Sequence, residues 1–226
     1  MFYFDWTYLL LIPGLILGMW AQHRVNSTYR EYARIGTQQG RTAAEVAAQL
    51  LGRAGADKVR IGMVKGSLTD HYDPARKTLN LSQDVYQSPS IAALGIAAHE
   101  AGHALQDQEG YGPLRLRSAA VPVVNIGSRA SMPILMLGLI FAWPPVVYIG
   151  IALFSLSVVF SLITLPVEFD ASRRAVSMLT QGGYLTAGEE QGVRKVLNAA
   201  ALTYVAAAVS SILSLLRLIL IARNRD

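Results

Sequence analysis

Apolar and polar positions fall in long blocks along this chain. Residues 2–21 are almost all apolar, interrupted by Asp5, and are long enough to cross a hydrocarbon core of about 30 Å. With no basic residue before that run and no small-x-small cleavage site, it is expected to be a retained anchor rather than a signal peptide. Residues 121–143 and 146–167 form two further apolar stretches separated by Pro144-Pro145, the pattern of a helical hairpin with a short turn. A fourth stretch covers residues 196–221.

The polar blocks carry shorter periods. Residues 42–51 have the spaced apolar pattern of a helix, with Thr42 as N-cap and Gly52 as a stop. Residues 59–64 and 78–81 read as short strands, and the Asp70-His71-Tyr72-Asp73-Pro74 segment between them reads as a turn. Residues 90–108 predict a strong helix, capped by Ser88 or Ser90 and ended by Gly110. The expected fold is therefore mainly α. It is a polytopic membrane protein with about four transmembrane helices and a small α+β zincin-like catalytic domain carrying a short β-hairpin. As one unit over residues 1–226 it divides into an anchor (1–21), a catalytic region (22–118), a hairpin (119–167), a third-ligand helix (168–195) and a C-terminal apolar helix (196–226).

Composition narrows the function classes. Of 226 residues 52% are hydrophobic and 15% charged, too apolar for an ordinary soluble domain. The net charge of +5 is spread over the polar blocks, and the densest basic groups, Arg173-Arg174 and Arg194-Lys195, are only pairs, so no nucleic-acid partner is expected. Basic residues from Arg24 to Arg117 and from Arg173 to Lys195, with none in the Pro-Pro turn, place the hydrophilic region on the cytoplasmic side and the amino terminus outside. Four crossings then leave Arg223 and Arg225 outside, against that rule, so the last segment is the least secure span. The absence of cysteine confines any metal site to histidine and carboxylate.

One such site is written into the 90–108 helix. In His99-Glu100-Ala101-Gly102-His103 two imidazoles four residues apart share a helical face and can grip one zinc ion, with Glu100 placed as the general base. Catalytic zinc needs a third protein ligand and an open position. Glu168, directly after the third apolar span, is the expected ligand, with His71 as rival and Asp170 and Glu109 behind it. The alternative for Glu168 is a juxtamembrane charge paired with Arg173. His23 reads as an interfacial residue. A metal transporter is disfavoured because, besides Asp5 near the start of the first, the spans hold only Arg129 and Arg217 as charged residues, and arginine does not bind cations.

The chain resembles, nearly end to end, the YugP-like neutral zinc metallopeptidases of bacterial membranes. The resemblance is carried by Leu68-Thr69-Asp70-His71-Tyr72-Asp73-Pro74, by Ala97-Ala98-His99-Glu100-Ala101-Gly102-His103-Ala104, by Leu165-Pro166-Val167-Glu168-Phe169, and by the run from Lys195 to Tyr204. More distantly it is similar to HtpX-type membrane peptidases and CAAX prenyl endopeptidases. There a zinc helix, a transmembrane hairpin and a second helix bearing the ligand glutamate follow in that order, the gluzincin arrangement. The resemblance implies a one-zinc metalloendopeptidase of the bacterial inner membrane acting on peptides or membrane proteins near the bilayer, with a substrate cleft at Asp70–Asp73. His71 or Tyr72 are candidate substrate or oxyanion contacts. Where HtpX-type enzymes carry an acid four residues after the glutamate this chain has Ser172, which leaves Asp170 or Asp107 to orient an imidazole. The competing reading is a zinc-binding membrane scaffold or regulator with little turnover.

Overall fold

The computed structural model describes residues 6–223. Among them are seven α-helices and three strands: α1 (Ile12–Tyr32), α2 (Ala43–Arg53), β1 (Arg60–Val64), β2 (His71–Asp73), β3 (Thr78–Ser82), α3 (Gln83–Tyr86), α4 (Ile91–Gln108), α5 (Gly112–Ile140), α6 (Pro144–Gln181) and α7 (Ala187–Arg223). A 3-10 helix, Trp6–Leu11, precedes α1. The chain forms two compact units, one of residues 23–114 and 166–201, the other of the remaining segments.

In the first unit the helix ends follow their sequence signals. Thr42 caps α2 in a full capping box with Glu45. Ser90 Oγ accepts the Ala93 N–H at the start of α4, and Gly110, with φ 67°, ends it as Tyr111 N–H donates to Gln106 O at 2.8 Å. Small Ala and Gly residues recur along α4, and most of the helix is buried, as when neighbours pack close on several sides. It packs into a core with Val46, Leu50 and Leu51 of α2, Leu79 and Leu81 of β3, and Leu179, Val193 and Leu197.

The sheet has the order β1-β3-β2, with β1 parallel and β2 antiparallel to β3. Leu79 and Leu81 point into the core while Thr78 and Asn80 are half-exposed, the alternation of a one-sided strand. The segment read from sequence as a turn therefore holds strand β2, and the hairpin turn to β3 follows it at residues 74–77. Asp73 Oδ1 accepts the Ala75 and Arg76 N–H groups, and Lys77 takes a left-handed conformation at φ 50°. Because β3 is central, the free edges belong to β1 and β2.

In the second unit, α5, α6 and α7 are the helices long and apolar enough to cross a membrane among the described residues. α5 and α6 form the expected hairpin, and glycines set their closeness: a Cβ on Gly138 would lie 2.6 Å from Val147 N, and one on Gly150 2.7 Å from Leu135 Cβ. Leu137, Ile140, Phe141, Trp143, Ile149 and Leu162 are exposed, an apolar surface suited to lipid rather than water. The 3-10 segment and α1 pack on α7: a Cβ on Gly14 would meet Ser210 Oγ at 2.9 Å, Arg217 donates to Thr7 Oγ1 at 3.2 Å, and its guanidinium lies 3.8 Å from the Tyr8 ring centre. α1 continues through Gln22, His23, Arg24 and Asn26, so as a whole helix it is too polar to count as a span. Asp5 and Arg225 lie outside the described residues.

Residues 168–195 are not one helix. α6 runs unbroken from Pro144 through Glu168 to Gln181, and α7 begins at Ala187. At 38 residues α6 is about 57 Å long, so part of it must lie outside a hydrocarbon core of about 30 Å. The change from apolar to polar composition near residue 168 falls inside one continuous helix.

Candidate metal centre

α4 brings His99 and His103 onto one face, their ring centres 4.7 Å apart. Opposite them, within the same compact unit, α6 presents Glu168, which is 2% exposed. Its Oε2 lies 3.2 Å from His99 Nε2 and 3.6 Å from His103 Nε2. One ligand atom from each of the three residues falls within 4.8 Å of the others. Atoms placed about 2.1 Å from a tetrahedral ion stand about 3.4 Å apart, so this donor set fits a zinc-sized cation.

The approach of the two helices depends on Gly102, between the histidines. A Cβ there would lie 2.7 Å from the Ala171 carbonyl oxygen, so only glycine lets α4 lie this close to the Glu168 turn of α6.

Glu100 is buried at 8% exposure next to His99. Burial pushes the His103 imidazole down, but the hydrogen bond to Glu168 and the charges of Glu100 and Glu168 outweigh it, so its pKa lies above the ordinary imidazole value. Two carboxylates beside two imidazoles make a pocket that favours a divalent cation.

Each imidazole is also held at its far nitrogen. His99 Nδ1 lies 3.2 Å from Ser172 Oγ, and His103 Nδ1 lies 3.0 Å from Gln106 Oε1. Neither Asp107 nor Asp170 is a hydrogen-bond partner of an imidazole. Asp170 is bound by Gln106 Nε2 at 2.9 Å, by Arg173 and by Arg174, so it reaches His103 through the glutamine. Ser172 stands where an acid was expected and occupies His99 itself. Gln106 was missed; its one sequence signal is a polar amide three residues after His103, at the start of the polar Gln106-Asp107-Gln108 end of the helix.

The remaining candidates lie in the hairpin. His71 is exposed and committed there, with Nδ1 on Thr69 O at 2.9 Å and Nε2 on Asn80 Nδ2 at 3.1 Å. It does not join the metal cluster. Tyr72 donates its hydroxyl to Asp107 Oδ2 at 2.7 Å, and burial together with that bond raises its pKa, so it remains a phenol. Asp107 also accepts from Lys77. A cavity of about 330 Å³ opens beside this pair, lined by Ala56, Val59, Tyr72, Lys77, Ala104 and Asp107. At the start of β2, Asp70 accepts from Ser82 N at 2.7 Å and from its hydroxyl, while burial raises its pKa. Glu109 pairs with Arg174 at 2.8 Å and Arg173 with Asp170, so neither takes part in the cluster. His23 is exposed on α1.

Comparison with known proteins gives the same class of chemistry. Residues 7–223 match the model of a family described as "Putative neutral zinc metallopeptidase". The chain is 46% identical over 215 residues to "Putative membrane protease YugP" of Bacillus subtilis (strain 168), covering 95% of this chain and 96% of that protein. No solved structure matches.

Proposed function

We infer, from the fact that the chain belongs to this family of neutral zinc metallopeptidases, that it is a membrane-integral endopeptidase using a single zinc ion held by His99, His103 and Glu168. The observation that carries this reading is the convergence of those three side chains from two helices at the spacing of metal ligands. Zinc bound there supplies Lewis acidity and lowers the pKa of a water to about 7. Glu100, one residue from His99 on the buried helix, takes up the proton that the water releases and returns it to the leaving amine. Ser172 and Gln106 hold the rings with Nε2 facing Glu168.

An extended peptide is recognised by adding to a sheet edge through main-chain hydrogen bonds. β2 is the free edge that also reaches α4, through Tyr72 and Asp107, and the cavity beside them offers room for a substrate side chain. Substrates are membrane proteins or segments exposed near the membrane face, a reading supported by the apolar spans and by Glu168 following one of them in sequence. The packing of Gly14 on Ser210, and of Thr7 and Tyr8 on Arg217, supports the N-terminal segment as a fourth span. The basic residues of the hydrophilic segments support a cytoplasmic catalytic unit in a bacterial inner membrane.

The test is hydrolysis of a model membrane-protein substrate by wild type and by Glu100→Gln, with zinc measured in both. Equal zinc and a rate lower by about 10²- to 10⁴-fold is the expected result. Equal zinc with no turnover in either protein supports the scaffold reading instead.

A further inference from the structure

We propose that Gln106 is the positioning residue of the metal centre: it fixes which nitrogen of His103 is offered to the cation and ties the two ligand-bearing helices at ligand spacing. The inference rests on the zinc reading above and assigns a role within it.

Gln106 is 0% exposed, and all of its polar atoms are engaged. Nε2 lies 2.9 Å from Val167 O and 2.9 Å from Asp170 Oδ2. Both are acceptors, and Asp170 is further held by Arg173 and Arg174, as expected of an ionised carboxylate. Turning the amide over would set its oxygen against a carbonyl and a carboxylate and leave at most one N–H, toward His103 Nδ1, with a partner. Its orientation is therefore dictated from the far end, and Oε1 must face His103. An amide oxygen can only accept, so His103 Nδ1 carries a proton, and in the neutral ring Nε2 is left with the lone pair it can offer to a cation shared with Glu168. Ser172 does not do this for His99, because a hydroxyl can either donate or accept.

The same side chain sets distance as well as tautomer. Val167 is the neighbour of Glu168, so the bond from Gln106 anchors the α6 backbone one residue from the ligand carboxylate. The tie closes on itself, since Asp170 binds Arg174 and Arg174 returns at 2.8 Å to Glu109, the C-cap residue of α4.

The experiment compares wild type, Gln106→Leu, Gln106→Glu, and Gln106→Glu combined with Asp170→Asn. Zinc affinity is read by chelator competition and ligand geometry by the visible spectrum of the Co²⁺ form. Gln106→Leu should lose roughly 10- to 100-fold in affinity and change the spectrum. Gln106→Glu alone sets a second carboxylate against Asp170 and should also bind weakly. In the double variant charge is conserved and the 106–170 bond is restored with donor and acceptor exchanged, while the bond to Val167 O is not, so affinity and spectrum should recover in part above those of Gln106→Glu. A side chain that merely filled space would give no such rescue. Gln106→Leu with wild-type affinity and spectrum overturns the proposal, and so does a double variant no better than Gln106→Glu. Should Gln106→Leu fail to fold, the comparison of Gln106→Glu with the double variant decides. A wild type that takes up neither metal refutes the zinc reading and this inference with it, whereas normal uptake in every variant refutes this inference alone.

Discussion

Adding one methyl group at Gly102 should weaken metal binding more than it weakens the fold. The new Cβ would stand 2.7 Å from Ala171 O, 3.2 Å from its Cα and 3.3 Å from its carbonyl carbon. Favourable contacts of this kind lie near 3.5–4.0 Å, and all three atoms belong to the backbone of a helix interior, so no rotamer change relieves them. α4 and α6 must part by about 0.5–1 Å. Overpacking of this sort costs about 1–3 kcal/mol, and the Gly→Ala gain in helix propensity returns up to about 1 kcal/mol, so the change in melting temperature is modest. The ligand set is less forgiving. Ala171 lies three residues beyond Glu168, and the 3.2 and 3.6 Å separations would open by a similar amount, beyond the roughly 0.5 Å such a site tolerates. Zinc affinity measured by chelator competition should fall at least about tenfold, which is about 1.4 kcal/mol. Gly95→Ala is the control: its Cβ would meet Val193 Cγ1 at 3.2 Å, a side chain that can turn aside, and affinity should be unchanged. Wild-type zinc affinity in Gly102→Ala refutes the close-approach reasoning.

Further expectations concern pH and topology. In metal-free protein the raised pKa of His103 stabilises the fold fully below about 6.5 and progressively less as pH rises through the folded value, so the melting temperature should drop across that window. Zinc requires the neutral ring and should stabilise more as pH rises; a metal-free slope unchanged in Glu168→Gln contradicts the assigned cause. Since the chain contains no cysteine, Ser67→Cys on an exposed loop gives a single thiol. A cytoplasmic catalytic unit predicts labelling by an impermeant maleimide only after cells are opened, and labelling of intact cells reverses the topology.

What could be read in advance divides along the line between local and tertiary signals. The α4 helix, its Ser90 cap and its two histidines were legible because helical period, cap and motif are all written within residues 90–110. Thr42 and Glu45 announced α2 in the same way. Glu168 was legible from its place after an apolar span. β2 was not, because His71–Asp73 is three residues of turn-forming sequence held extended by pairing with β3. The length of α6 is not legible either, because a change from apolar to polar residues reads as a helix end although the helix continues through it. Ser172 and Gln106 acquire their imidazole partners only when α4 and α6 meet, and no spacing within either helix specifies that encounter.

The central claim is tested most directly by zinc analysis of the purified protein beside His99→Ala, His103→Ala, Glu168→Ala and His71→Ala. The account predicts one zinc per chain in wild type and in His71→Ala, and loss of the metal in the other three. Full zinc occupancy in Glu168→Ala, or loss of the metal in His71→Ala, would contradict it.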